Sequence, residues 1–413
     1  MNNMKNPNWI KNSIIYHIFL DRFSTGDVIK DKKLAAKTSS GWMGGNIGGV
    51  IKKLDYLKNL GINTIYLSPI YQSTFYHGYS ITDYFEVDAH FGNKNYLRRL
   101  MEACHKANIR VLLDFVPNHC SYMHPFFMDA QRNRNSQYRD WFIFTKWPKE
   151  YVCFLDVKEL PKINLENPDA QEHIISAAEY WIREFGIDGY RLDHAIGPPL
   201  SFWKEFKKRT KRIRKDSKLI AEIWFRGINT KHSTMLCLLK SFPKKSLERM
   251  MELIKDGEII KLNWMALREV DKMKIFDGGL DFNFMELAWA TIKNKMNFDE
   301  LCRRLKKYDS GFSRYFHLIS FLSNHDMGRF LYQSKNKNLV KLLSSLQFSL
   351  PRPVMIYYGE EIGLSQKGPV KFNISFSDVE ARRFMIWERK KWDRDIFDHY
   401  RALCKLKNSS ISF

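Results

Sequence analysis

The sequence predicts an α/β protein: a (β/α)8 barrel carrying a small inserted unit after its third strand. Short, β-branched apolar runs alternate with longer helical patterns eight times along the chain, and such alternation builds a parallel sheet. Eight units spread over 413 residues suit a closed barrel better than a doubly wound sheet. No G-x-G-x-x-G follows the first run, so the dinucleotide-binding alternative lacks its mark.

The strands are read in order at residues 14–19, 62–67, 110–115, 189–192, 219–223, 280–284, 317–322 and 354–358. Helical periodicity fills the intervals at 47–60, 94–108, 168–185, 200–212, a long region at 234–272, 298–307 and 339–349, with a last helix at 393–407. The rhythm breaks once, between Phe115 and Gly189. The helix at 168–185 occupies only part of that interval. The remainder holds Trp141, Phe142, Phe144, Trp147, Tyr151 and Phe154, and stretches this long are functional loops or small domains. The expected organisation is a barrel formed by 1–118 and 167–413, with a small inserted domain at 119–166. Trp141 and Phe142 read as part of that insertion's own core.

Composition excludes several classes. With 44% hydrophobic and 27% charged residues the chain is neither disordered nor low-complexity. No stretch approaches 18 apolar residues, so no membrane span is expected. The net charge of +22 raises nucleic-acid or anionic-surface binding as a hypothesis. The basic clusters are short, however (Lys207 to Arg209, Arg303 and Arg304, Lys390 and Lys391), and most fall on helices whose charged face meets water. Six cysteines without a C-x-x-C stand mostly among apolar residues, as buried free thiols do. No secretory leader is recognisable, and a cytoplasmic location is expected.

The chemistry is read at the strand ends, because α/β barrels carry their active sites there. Strand 3 ends in Asp114, followed by Asn118 and His119. Strand 4 ends in Arg191, Asp193 and His194, strand 5 in Glu222, and strand 7 in His325 and Asp326. One acid after a strand is ordinarily a helix cap or a loop residue. Acids on four strands at one rim are hard to assign to capping. Paired carboxylates without a phosphate loop or metal motif suit glycoside hydrolysis, where one attacks the anomeric carbon and another protonates the leaving oxygen. An arginine beside the nucleophile keeps it ionised. His119, Cys120 and His124 supply too few ligands for a zinc site.

These stretches resemble the α-amylase superfamily, glycoside hydrolase family 13. They are D-F-V-P-N-H at 114–119, G-Y-R-L-D-H-A at 189–195, A-E-I-W at 221–224 and F-L-S-N-H-D at 321–326. Y-H-I-F-L-D-R-F at 16–23, G-I-N-T-I-Y-L-S-P-I at 61–70, H-G-Y at 77–79 and L-P-K-I-N at 160–164 support them. They occur in family order, and the last, with A-E-I-W, is similar to the neopullulanase–cyclomaltodextrinase branch. The resemblance implies Asp193 as nucleophile, Glu222 as general acid/base and Asp326 as the third carboxylate, which binds sugar hydroxyls. It implies Arg191 beside the nucleophile, His119 and His325 on the sugar at the cleavage point, Tyr79 stacked under that sugar, and His77 as a substrate-binding or loop-anchoring residue. Asp114 is expected to order the site, and Arg329 to pair with a barrel carboxylate.

The departures are also informative. Gly197, Pro198 and Pro199 stand where many α-amylases carry a Lys–His pair. No cofactor is required by this reading. Many relatives bind calcium near the first strand through an aspartate in a G-G-D stretch. Here that position is Asn46, which leaves Asp21, Asp27 and Asn46 as weak Ca2+ candidates. The chain stops soon after the last helix, so the all-β C-terminal domain of related enzymes is expected to be absent. The resemblance thus implies a retaining hydrolase of α-1,4-linked glucans or maltooligosaccharides, with no nucleic-acid or membrane partner. A 4-α-glucanotransferase on the same substrates is the alternative, and a glucan- or nucleic-acid-binding protein without turnover is the rival from another class. Oligomeric state is not legible.

Overall fold

The computed structural model describes residues 8–26, 41–225, 242–370 and 377–409. Eight strands form the barrel: β1 (Ile14–Ile18), β2 (Thr64–Leu67), β3 (Arg110–Phe115), β4 (Gly189–Leu192), β5 (Lys218–Ala221), β6 (Gly278–Leu280), β7 (His317–Ile319) and β8 (Val354–Tyr357). They lie in the order β7-β6-β5-β4-β3-β2-β1-β8, and every ladder is parallel. Between β7 and β8 the circle is completed by one parallel bridge, Ser320 with Val354. Nearly every strand residue is buried, because helices cover the sheet outside and side chains fill it inside. That burial is why the strands read as continuous apolar runs.

The principal helices are α1 (Ile47–Lys52), α2 (Leu54–Leu60), α3 (Lys94–Lys106), α4 (Pro168–Phe185), α5 (Leu200–Ile213), α6 (Lys244–Lys255), α7 (Ile259–Lys272), α8 (Phe282–Ile292), α9 (Phe298–Asp309), α10 (Lys337–Ser349) and α11 (Arg394–Ser409). At the barrel's N-terminal end Asp188, fully buried, gathers Arg110 (2.9 Å), Arg214 (2.6 Å), His105 (2.9 Å) and the Val111 N–H (2.8 Å). This end serves stability, leaving the opposite mouth for chemistry.

The structure corrects three sequence readings. The sixth strand ends at Leu280, so most of 280–284 belongs to α8. Asp281 caps that helix, accepting from Phe284 N at 2.9 Å, and a short apolar run does not by itself distinguish strand from buried helix. The pattern at 47–60 breaks at Lys53 into α1 and α2, and the one at 234–272 divides into α6 and α7, with 234–241 outside the described residues.

Between β3 and α4 run a short helix (Pro125–Arg132) and two antiparallel pairs, Phe144–Lys146 with Glu150–Tyr151 and Cys153–Phe154 with Val157–Pro161. Phe142 packs edge-on against Phe127, and Trp141 against Phe126 and Tyr138. Bridges from His119 to Lys162 and from Phe142 to Ile163 tie this segment together beside the mouth. A further hairpin after β2 (Tyr71–Ser73 with Ile81–Val87) carries His77 and Tyr79 in its loop. Among the described residues five cysteines are free, and no helix is long and apolar enough to cross a membrane. Cys237 lies outside them.

Candidate active site

The parallel register places Arg191 beside Asp114 of β3 and Ile220 of β5. From there its guanidinium reaches carboxylates delivered by three strands. It donates to Asp114 Oδ1 at 2.7 Å and to Asp193 Oδ1 at 2.8 Å, and it contacts Glu222 Oε1 through its other terminal nitrogen. Glu222 Oε2 accepts from His194 N at 3.1 Å. Asp193 Oδ2, although buried, has no hydrogen-bond partner among the described residues.

Three carboxylates around one guanidinium cannot all be neutralised by it. Burial pushes the carboxyls of Asp193 and Glu222 above the usual range, against the pull of Arg191, with neighbouring carboxylates adding to the rise. Asp114 is raised to about 6, again by burial, although Arg191, Tyr66 (2.5 Å) and Tyr79 (2.8 Å) all hydrogen-bond its anionic form. A cluster of this kind retains a proton where isolated carboxylates would not.

Tyr79 links the two sides of the mouth. Its hydroxyl donates to Asp114 and lies 2.8 Å from His325 Nε2, with the two rings stacked at 5.3 Å. His325 Nε2 is also 3.1 Å from Asp326 Oδ2. The Tyr79 hydroxyl gives its one proton to Asp114, so toward His325 it accepts, and Nε2 carries the ring's proton. Asp326, about a third exposed, is the carboxylate of the set most open to solvent. His77 anchors its own loop by accepting from Tyr79 N at 3.0 Å, and burial lowers its imidazolium pKa to about 3. His119 stacks on Phe154 at 4.6 Å. The structure therefore gathers the strand-end carboxylates, Arg191, Tyr79, His325 and His119 around one mouth, with His77 just behind.

Two residues of this site went unassigned in the sequence. Arg382 donates to Asp326 Oδ1 (3.1 Å) and to the His325 carbonyl (2.8 Å), and pairs with Asp378 (2.6 Å). It follows β8 with no motif around it, so no local signal could have found it. Lys162 lay within L-P-K-I-N without a role of its own, and in the fold it is buried. Arg329 makes no direct ion pair with a carboxylate among the described residues: it hydrogen-bonds the Tyr358 carbonyl at 2.8 Å, lies over the rings of Tyr357 and Tyr358, and reaches the buried Glu360 carboxylate only through its field.

Two of the calcium candidates, Asp21 and Asn46, already have partners within the chain. Asp21 accepts from the N–H groups of Met43 and Gly44, each at 3.0 Å, and pairs with Arg22. Asn46 caps α1 by accepting from Gly49 N, and its amide nitrogen faces the carbonyls of Gly26 and Gly44. These oxygens already face N–H donors, a poor fit to a cation that needs them free. Asp27 lies outside the described residues, among which no cluster of three or more His, Cys, Asp or Glu is disposed to hold a metal.

Comparison with known proteins gives concordant likenesses. The family profile described as "Alpha amylase, catalytic domain" matches residues 17–402. Alpha-amylase 2 of Dictyoglomus thermophilum is 38% identical over 412 residues, covering 99% of this chain and 65% of that protein. A cyclomaltodextrinase from a Bacillus species is 33% identical, covering 98% and 67%. Among solved structures, the cyclic alpha-maltosyl-(1→6)-maltose hydrolase of Arthrobacter globiformis superposes with a TM-score of 0.80 at 26% identity, covering 97% of this chain and 83% of that one. A cyclomaltodextrinase superposes at 0.79 with 30% identity, covering 98% and 64%. The chain thus spans about two thirds of the length of the curated relatives it matches.

Proposed function

Because this chain belongs to the α-amylase catalytic-domain family, we propose that it is a retaining glycoside hydrolase cleaving α-1,4-glucosidic bonds of starch- or glycogen-type glucans or of maltooligosaccharides. Glu222, holding the proton that the carboxylate cluster retains, donates it to the glycosidic oxygen as that bond breaks. Asp193 Oδ2, the oxygen not engaged by Arg191, attacks the anomeric carbon and forms a covalent β-glycosyl ester. Glu222, now a carboxylate, takes a proton from water as the water oxygen displaces Asp193, and the two inversions give net retention. Asp326, Tyr79, His119 and His325 hold the sugar, and Arg191, donating to Asp193, opposes its protonation.

The observation that carries this reading is the bridging of Asp193 and Glu222 by Arg191, which leaves one Asp193 oxygen unengaged. Relatives named cyclomaltodextrinase and maltogenic alpha-amylase support the substrate class, and an intracellular maltogenic amylase of Bacillus subtilis, 30% identical, supports a cytoplasmic location. No cofactor, nucleic acid or membrane partner enters the proposal. Proton NMR in the first minutes after enzyme meets maltooligosaccharide tests it: the new reducing end should appear as the α-anomer and mutarotate later. The β-anomer appearing first would make Asp193 a general base, and the proposal wrong. Chromatography of maltoheptaose products separates hydrolysis from chain transfer, since the same ester can be opened by a sugar hydroxyl.

A further inference from the structure

Lys162 is 5% exposed and stands opposite His119 in an antiparallel bridge, so both side chains leave the same face of that strand pair. Its ammonium donates to Asn118 Oδ1 at 2.6 Å and to the Gly197 carbonyl at 2.8 Å. The second contact reaches the loop that follows the nucleophile position. The first has a stereochemical consequence. An ammonium has no acceptor, so it dictates which end of the Asn118 amide faces it, namely the oxygen. The amide nitrogen is thereby turned toward His119 Nδ1, at 3.2 Å. An amide NH2 only donates, so Nδ1 must accept, and a neutral imidazole must then carry its proton on Nε2. The ring is neutral, because burial and the nearby Lys162 charge lower its imidazolium pKa to about 3. His119 Nε2 is buried without a hydrogen-bond partner among the described residues. The Phe154 ring stacked on His119 limits its rotation.

We propose that Lys162 is a positioning residue that sets the tautomer of His119 through the Asn118 amide, so that Nε2–H is presented as a donor to a sugar hydroxyl. The inference rests on the glycosidase reading for its acceptor, but the tautomer itself does not depend on that reading. It extends the site by two residues, Asn118 and Lys162, and gives the buried lysine of L-P-K-I-N a chemical task. Outer partners of this kind fix histidine tautomers elsewhere in proteins by the same donor–acceptor logic.

The test uses the whole protein labelled with nitrogen-15 histidine, with the His119 signals identified by their loss in His119→Gln. In the unmodified protein Nδ1 should show the shift of an unprotonated ring nitrogen and Nε2 that of a protonated one. Asn118→Asp keeps an acceptor for Lys162 but places an acceptor against Nδ1. It should move the proton to Nδ1 and lower kcat/KM about 10- to 100-fold, as loss of one hydrogen bond in a buried site does. Lys162→Met frees the amide to turn and should give a mixture of both tautomers; if that variant does not fold, Asn118→Asp decides. A protonated Nδ1 in the unmodified protein overturns the proposal. So does an Asn118→Asp protein with unchanged nitrogen shifts and kcat/KM. A protein that cleaves no glucan yet shows the expected shifts refutes the glycosidase reading and leaves the tautomer assignment standing.

Discussion

Arg382 and Asp326 are 56 positions apart in sequence and 3.1 Å apart in the fold. The guanidinium also holds the His325 carbonyl and sits against Phe19 and Tyr76, so it fixes Asp326 while its own position is locked by packing. Arg382→Met keeps much of the packed stem and removes the donors. It should lower kcat/KM about 10- to 100-fold, the range expected when a carboxylate loses a charged partner, with near-UV circular dichroism unchanged. Unaltered kinetics would remove Arg382 from the site. Glu360, behind the mouth, makes a different point. Its carboxyl accepts from Ser323 Oγ at 2.5 Å and Tyr357 N at 3.1 Å, and burial raises it to about 7. An unfolded glutamate titrates near about 4.3. Between these values the folded chain holds a proton the unfolded chain has released. This contribution to stability is therefore full below about 4.3 and lost as pH rises through about 7. Glu360→Gln cannot ionise, so its Tm relative to wild type should rise between pH 5 and pH 8, a change worth at most about 4 kcal/mol. The same Tm difference at both pH values would mean that Glu360 titrates as an ordinary carboxylate.

Among the elements, α4 delivers the chain to the nucleophile strand, and its limits are written in local chemistry. Asn167 accepts from the N–H groups of Asp169 and Ala170, Pro168 opens the first turn, and Gly186 closes the helix in the left-handed region at φ 64°. A methyl at Gly186 would meet nothing within 4 Å. Gly189, the first residue of β4, also has positive φ, 151°, but a methyl there would lie 2.1 Å from the Lys218 carbonyl oxygen of β5. The two glycines therefore answer to different constraints. Gly186→Ala should cost about 1 kcal/mol, the strain of a left-handed alanine. Gly189→Ala should cost several kcal/mol or prevent folding, because backbone must move at the ladder that aligns Arg191. Urea unfolding of both variants measures this, and equal small losses would show that the β4–β5 ladder yields to a methyl.

For the whole molecule, the least ladder-bonded place is the seam between β7 and β8, where Ser320 and Val354 form one bridge. Gln347, buried on α10, reinforces it by donating to the Ser320 carbonyl at 2.8 Å and the Met355 carbonyl at 3.1 Å. The covering helix thus does part of what strand pairing does elsewhere in the barrel. Gln347→Leu should lower stability by about 1–3 kcal/mol, seen as a lower urea midpoint with an unchanged slope. An unchanged midpoint would show that the single bridge suffices. Some basic side chains of the outer helices are paired within one turn or across helices, as in Arg303 and Arg304 with Glu300 or Arg209 with Glu172 and Glu179.

The order of strands and helices and the acids at strand ends were legible in the sequence, because each is a local signal. Burial on both faces writes a strand as an apolar run, and a parallel barrel puts every strand's last residue at one mouth. Asp193, Glu222, Asp326, Arg191, His119 and His325 could therefore be named before any coordinates. Asp281 needed three dimensions, since Phe282 and Phe284 suit a strand and a buried helix equally well. Tertiary structure alone decided that Arg191 is shared by Asp114, Asp193 and Glu222, that Arg382 holds Asp326, and that Lys162 turns the Asn118 amide toward His119. Apart from Arg191 with Asp193 and Asn118 with His119, which are near neighbours in sequence, those partners lie about 30 to more than 70 residues apart along the chain. Periodicity and propensity act over a few residues and carry no information about which donor meets which acceptor. Closure of the barrel supplies it, by bringing strands that are far apart in sequence to within a hydrogen bond of one another.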